Sequence, residues 1–351
     1  MKKTVFLLLS LTAAVFPLPM MAGNSPYITR VWEFCPAPGQ FTNTMPEYEE
    51  GDDAEAMCRK VEEQIADNAR GMISLGGWGG YVVFSFDHAV RNVVGQNDFI
   101  VEGNAFYASA AEGAAGGGSC EPGIVMVSRD DNHNGLPDDE WYELAGSEYT
   151  NPATKHNYSI TYQRPAPDHV ATPDSDQKYR IDTTFVRWDD NLGDSGYIVQ
   201  ISFHKQAYYP EWVSADQMTL TGSRLPDNYE FRSGQYYLHP YNYGYADNHP
   251  DSCSLAQLNI DWAVRADGSP IFLDEIHFVK VYTALHQQCG MLGETSTEIM
   301  GARDLHPDAA TRLDETDGRS VETVKQFRNG HLVIIRNQHI YNPLGTIINN
   351  Y

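Results

Sequence analysis

Thirteen consecutive residues, Arg129 to Trp141 (RDDNHNGLPDDEW), hold five carboxylates, two asparagines and a glycine. Oxygen-bearing side chains at alternate positions ahead of a glycine suit a hard divalent cation such as calcium, which collects about six to eight oxygens and needs the chain to turn sharply. With Asp130 as the first position of an EF-hand-type loop, Asn132 and Asn134 take the third and fifth and Gly135 the sixth. Leu136 then offers its backbone carbonyl, and Asp138 a direct or water-mediated contact. The twelfth position, a bidentate glutamate in that motif, is Trp141; Glu140 sits one residue early, and a local kink would let Asp139 or Glu140 close the cage. The expected calcium ligands are therefore Asp130, Asn132, Asn134, Leu136, Asp138 and Glu140. The flanks are β-prone, so such an ion would staple a loop rather than work a regulatory helix pair. The competing reading is an Asx-rich turn whose side chains satisfy local backbone donors.

Aromatic residues form a second group. HKQAYYPEW carries Tyr208, Tyr209 and Trp212, and YYLHPYNYGYADNHP carries Tyr241, Tyr243 and Tyr245. Rings with polar tips on loops can stack on a sugar or a flat macrocycle while hydrogen-bonding its rim, so these six are the expected ligand-binding residues. The alternative for each is an ordinary inward position in the core.

Other motifs carry less. Gly193-Asp194-Ser195-Gly196 is similar to the surroundings of a protease nucleophile, but no recognisable histidine or oxyanion-hole partner accompanies it, and it reads as a polar turn. Gly76-Gly77-Trp78-Gly79-Gly80 lacks the Lys-Ser/Thr of a phosphate loop and runs into a strand, so close backbone packing is its expected role, with Trp78 in the core. Neither HExxH, nor a GxSxG elbow, nor CxxC is present. The alternative to a binding protein is a secreted glycan-active hydrolase using paired loop carboxylates, with Asp189, Asp190, Asp194, Asp247 and Asp251 as its candidates.

The elements that must hold these groups are mostly strands. Met57, Val61 and Ile65 recur every fourth residue behind Asp52 and Asp53, which predicts one amphipathic helix with an acidic start. From Ile73 onward short β-rich runs alternate with Gly, Asn, Asp and Pro. Tyr81 to Phe86 reads as a strand covered on both faces, with further strands at 99–101, 124–128, 160–163, 185–188, 197–203, 217–221, 236–239, 258–263 and 275–282. The expected fold is mostly β: an antiparallel β-sandwich of jelly-roll type with one N-terminal helix and long loops, in a single domain over 23–305. AEGAAGGGS (111–119) is expected to be a flexible loop. Residues 306–320 read as a linker, and 321–351, with the Asn329-Gly330 hairpin signal, as a small terminal β module.

The start of the 351-residue chain has the pattern of an export signal over 1–22, with Lys2 and Lys3 before an apolar run and Met20-Met21-Ala22 as the cleavage site. No other stretch has the length and apolarity of a membrane-spanning helix. A net charge of −23 repels phosphate backbones and attracts cations, which excludes nucleic acid as an expected partner. Five cysteines at irregular spacing suggest neither a zinc motif nor a particular disulfide pattern, and their odd number leaves at least one unpaired within the chain.

PAPGQF (36–41), SLGGWGGYVVFSFDH (74–88), DFIVEGNAF (98–106), EPGIVMVSRDDNHNGLPDDEWYELAGSEY (121–149), SFHKQAYYPEW (202–212), GYADNHP (244–250) and FVKVYTALHQQCGMLGETSTEI (278–299) together resemble a family of secreted cell-surface proteins of gut Bacteroidetes. The resemblance covers roughly residues 28–305, and RNGHLVIIRNQHIYNPLGTII is similar to short C-terminal modules used in sorting to the surface. It implies a non-catalytic protein at the cell surface, the extracellular space or the periplasm. The implied partners are a glycan or corrinoid-type nutrient and outer-membrane uptake proteins.

Overall fold

The apolar run beginning at Tyr81 becomes an 11-residue strand, Tyr81–Arg91, inside the largest sheet. Its antiparallel neighbours are Arg30–Cys35 and Glu275–Thr283. Beyond Glu275–Thr283 lies Gly123–Ser128, whose far edge is shared by Trp141–Leu144 and Tyr245–Ala246, and Ala263–Val264 completes the sheet. Side chains alternate across a strand, so this sheet feeds two cores at once. Val82, Phe84, Val125, Val127, Val279 and Val281 enter one of them, and Ile124 and Tyr282 enter another with Leu225 and Leu285.

The first of these cores is closed by the predicted helix, Ala54–Ile65, whose Met57, Val61 and Ile65 are buried. Asp53 caps it, accepting from Ala56 N–H at 2.8 Å, and Asp67 and Asn68 turn into left-handed backbone just beyond its end. This is the one α-helix among the described residues. The structure, a computed structural model, describes residues 24–308, 323–328, 331–336, 339–342 and 348. The expected signal segment 1–22, the linker from 309 onward and Asn329-Gly330 lie outside the described residues.

A second antiparallel sheet orders Ser195–Ile201, Arg180–Asp190, Lys155–Gln163 and Gln217–Arg224. Its inner residues Tyr158, Ile160, Tyr162, Val186, Ile198 and Leu220 pack around Trp78, which is fully buried. Trp78 gets there because the glycine run lets backbone meet backbone. Gly76 has φ +68°, and a Cβ on it would lie 2.0 Å from the Ala37 carbonyl oxygen. Two smaller sheets join Tyr229–Arg232, Gln235–Leu238, Gly118–Ser119 and Phe106–Tyr107, and Gln257–Leu258, Phe99–Glu102 and Gly301–Asp304. Thr323–Arg328, His331–Arg336 and His339–Tyr341 form a three-stranded antiparallel sheet.

The chain is thus mostly β, built of several antiparallel sheets without a closed barrel, and β-sandwich-like. Two local expectations are corrected. Residues 258–263 are not one strand: a 3-10 turn, Ile260–Trp262, interrupts them because the Asn259 side chain accepts from Asp261 N–H at 2.7 Å and diverts the backbone. The segment 111–119 contains a 3-10 turn, Gly113–Gly116, and the short strand Gly118–Ser119. No helix among the described residues is long and apolar enough to cross a membrane. All five cysteines are free thiols.

Replacing Met57 by alanine removes the helix's fully buried anchor, and an equilibrium urea melt should show a loss of about 2–5 kcal/mol. A loss under about half a kcal/mol would mean that the helix does not close this core.

Candidate functional site

The acidic loop joins Gly123–Ser128 to Trp141–Leu144. Asp130 is buried, and its two oxygens accept from the N–H groups of Asn134 at 3.1 Å and Gly135 at 2.9 Å. The Nδ2 groups of Asn132 and Asn134 both donate to the Asp138 carboxylate at 3.0 Å. Asp130, Asn132, Asn134 and Asp138 are therefore brought together. Leu136 donates its N–H to Asn134 Oδ1 at 2.7 Å, whereas Glu140 is drawn away to accept from the Tyr142 hydroxyl at 2.9 Å. The Asx-turn bonding pattern weighed against an ion is present in full.

Of the six expected ligand-binding aromatics, Tyr208, Tyr209 and Tyr245 are buried, which corrects the expectation for these three, while Trp212, Tyr241 and Tyr243 are half-buried. Tyr208 and Tyr209 are buried in the second core, their hydroxyls donating to the carbonyls of His204 at 3.1 Å and Ala215 at 3.0 Å. Trp212 stacks on Phe34 and Tyr48. Tyr241 donates to the Pro226 carbonyl, Tyr243 packs on Trp262, and buried Tyr245 accepts from Glu148 N–H. The physical reason is common to the tyrosines with buried hydroxyls: a nearby backbone group satisfies the polar tip, so the ring can go inside.

A cleft of about 400 Å³ does open between the second sheet and the segment 285–295. Its lining includes Trp78, Trp188, Tyr197, Arg224, His286 and Glu294. Two of these residues hold polar atoms that have no partner and are closed off from solvent: the Trp78 Nε1–H donor and Glu294 Oε2. The other Glu294 oxygen accepts from Gln40 N–H. Burial pushes the Glu294 carboxyl up to about 8 and the His286 imidazole down to about 3, so these two groups are uncharged at neutral pH. Asp194 and Ser195 stand on its edge, beside the turn 191–194. Among the described residues no hydrogen bond joins Ser195 to His286, and the protease-like motif is a hairpin turn.

The candidate carboxylates divide between two places. Asp194 lines the cleft, with Asp189 and Asp190 on the adjoining strand; Asp190 accepts from Leu192 and Asp194 N–H at 2.9 Å. Asp247 and Asp251 instead accept from the backbone of Asn104 and Gly103. Burial pushes Asp251 up to about 6.

Asp247 belongs to a group that the sequence did not reveal. Its carboxylate and those of Glu121 and Glu298 have oxygens within 4.8 Å of one another, an arrangement that could hold a metal ion. Asp247 has φ +50°, and its side chain fits only because Gly103 has no Cβ, which would lie 2.5 Å from Oδ1. Its two oxygens accept from Asn104 N–H at 2.9 Å and Glu298 N–H at 3.0 Å. Glu298 also accepts from the Ser296 hydroxyl at 2.5 Å. Burial, then the Glu298 charge, pushes Glu121 and Asp247 well above the usual carboxylate range, and burial raises Glu298 to about 7. The pairs are far apart in sequence, and no short motif marks them.

No protein-family model matches the chain, and no curated protein matches it.

The raised carboxyl groups set the sign of the pH dependence. Glu294, Glu298 and also Glu143, raised by burial to about 7, bind protons more tightly folded than unfolded, where glutamate titrates near 4.5. Their contribution is complete below that value and is lost as pH rises through about 7 to 8. Thermal melts of the calcium-free protein should therefore fall over this window. Glu294→Gln should match the parent at about pH 5 and melt above it at about pH 8.5; identical curves at both would contradict the assignment.

Proposed function

We propose that this is an exported, non-catalytic cell-surface protein that takes a glycan into the cleft between Trp78, Trp188 and Glu294. The observation that carries the reading is the cleft itself, about 400 Å³, with Trp188 and Tyr197 lining it beside the polar groups of Asp194, Arg224 and Gln288. Trp188 and Tyr197 supply aromatic walls for the apolar face of a sugar ring, and a cleft of about 400 Å³ is within the ordinary size of a small-molecule site. Export rests on the Lys2 to Ala22 pattern. Surface attachment and a role beside outer-membrane uptake proteins rest on the family resemblance.

A second reading has its own observation. Glu294, held in its proton-bearing form, lines the same cleft as Asp194, and an acid with a base is what glycoside hydrolysis requires. A screen of oligosaccharides and corrinoids by calorimetry, with product analysis on every binder, separates the readings. We expect glycan binding without turnover, weakened tenfold or more by Trp188→Ala. Turnover would favour the hydrolase, corrinoid binding alone would replace the ligand class, and binding unaffected by Trp188→Ala would move the site elsewhere.

Calcium in the acidic loop is part of the proposal. What supports it is that Asn132 and Asn134 both reach the Asp138 carboxylate, and that Asp130 is tied to the backbone of the same turn. Calcium chelation should lower the melting temperature, and Asp130→Asn with Asp138→Asn should reduce that response. An unchanged melt, with no calcium found by elemental analysis, would reject it.

A further inference from the structure

We propose that the glycan site continues past Gln288 into a second subsite, walled by Tyr179 and Tyr236, which takes further sugar units of the same chain. The inference rests on the glycan reading of the cleft and names its ligand as an extended oligosaccharide rather than a single sugar.

The geometry comes first. Ser195–Ile201 is an edge strand of the second sheet, and successive residues on a strand face opposite ways. Ile198 lines the cleft, whereas Val199 lines a smaller cavity of about 180 Å³. Gln288 lines both, and its Nε2 donates to the Val199 carbonyl at 3.3 Å. The two hollows are therefore neighbours across one side chain at the edge of that strand. The Gln288 Oε1 takes no hydrogen bond among the described residues and remains an acceptor.

Two turns build the walls of the smaller cavity. Asp174 accepts from the N–H groups of Asp176 at 2.9 Å and Gln177 at 3.0 Å and pairs with Arg180 at 2.9 Å, which holds Gln177, Tyr179 and Arg180 in place. Gly290 allows a close approach on the other side: it has φ +58°, and a Cβ there would lie 2.8 Å from Tyr236 Cε2 and 3.6 Å from the Tyr179 hydroxyl. The Tyr236 ring leads outward to Phe231, its cross-strand partner, at 4.8 Å between ring centroids and to Tyr229 at 5.5 Å. Phe231 is 61% exposed and Tyr229 45%, so rings joined through Tyr236 lie open to water beside the cavity. The amides of Gln177 and Gln288 line that cavity with Tyr236. An apolar protein face would cover the rings and leave these amides unpaired, whereas a sugar chain lays its C–H faces on rings and offers hydroxyls to amides. Arg180, the one charged residue lining the cavity, is neutralised by Asp174, so the added sugar units are uncharged ones.

Calorimetry of the full chain with glucan, mannan, xylan and galactan oligosaccharides, each from the disaccharide to the hexasaccharide, tests this. In the series that binds, affinity should rise tenfold or more with length, because the second contact is made by a ligand already held. Tyr236→Ala should abolish that gain and leave the disaccharide bound as in the parent, while Trp188→Ala should weaken short and long members alike. Affinity that does not grow with length, or a gain that survives Tyr236→Ala, would overturn the second subsite and leave the cleft reading standing. Binding of no member would overturn the cleft reading and this one with it. If Tyr236→Ala does not fold, Phe231→Ala, which removes an exposed ring, decides: a reduced gain with length supports the subsite, and an undiminished gain overturns it.

Discussion

Carboxyl groups packed inside the chain without countercharges are the constraint on which the structure turns. Asp98, Asp247, Glu294 and Glu298 are buried, and Glu121 and Glu143 are partly so. Among the described residues none of the six forms an ion pair with lysine, arginine or histidine. A buried carboxylate is tolerated only if it takes up a proton, collects donors or binds a cation. Asp98 collects donors, accepting from Val93 N–H at 2.7 Å and Ile260 N–H at 2.8 Å. Glu143 accepts from the Ser223 hydroxyl at 2.7 Å. Glu294 keeps one oxygen without a donor, whereas Asp247 accepts from two backbone N–H groups and Glu121 and Glu298 hydrogen-bond to each other.

The sheets explain how these groups are held in place. The central sheet is covered on both faces, so its strands are rigid and polar groups collect at its ends and connections. Glu121 and Asp247 stand at neighbouring ends because Ala246 pairs with Gly123. Glu298 is held by pairing with Ser74, in the same segment that leads into Trp78. The Trp78 turn and Glu294 meet through Gln40, whose backbone N–H binds Glu294 and whose side chain reaches the cavity that Glu121 and Glu298 line. The cleft and the acidic trio are thus two sides of one packed connection.

How much of this was legible depended on range. The helix start at Asp53 and the strand at Tyr81 follow from local period and capping, and both are observed. Trp78 was correctly placed in the core because glycines flanking an aromatic signal close packing. The tyrosines at 208, 209 and 245 were misplaced, since a sequence shows a polar tip but not the backbone carbonyl or N–H that will satisfy it. Residues 258–263 looked like a strand because the Asn259 side chain's competition for Asp261 is invisible in an apolar pattern. Asp130, Asn132, Asn134 and Asp138 were found together because their spacing is local. Glu121, Asp247 and Glu298 were not, because only tertiary pairing brings them together.

The most direct test of this account is the infrared carboxyl band of the calcium-free protein at neutral pH, compared with Glu294→Gln and with Glu121→Gln plus Glu298→Gln. The account predicts protonated carboxyl groups that each variant diminishes. A spectrum showing only ionised carboxylates at neutral pH would contradict it.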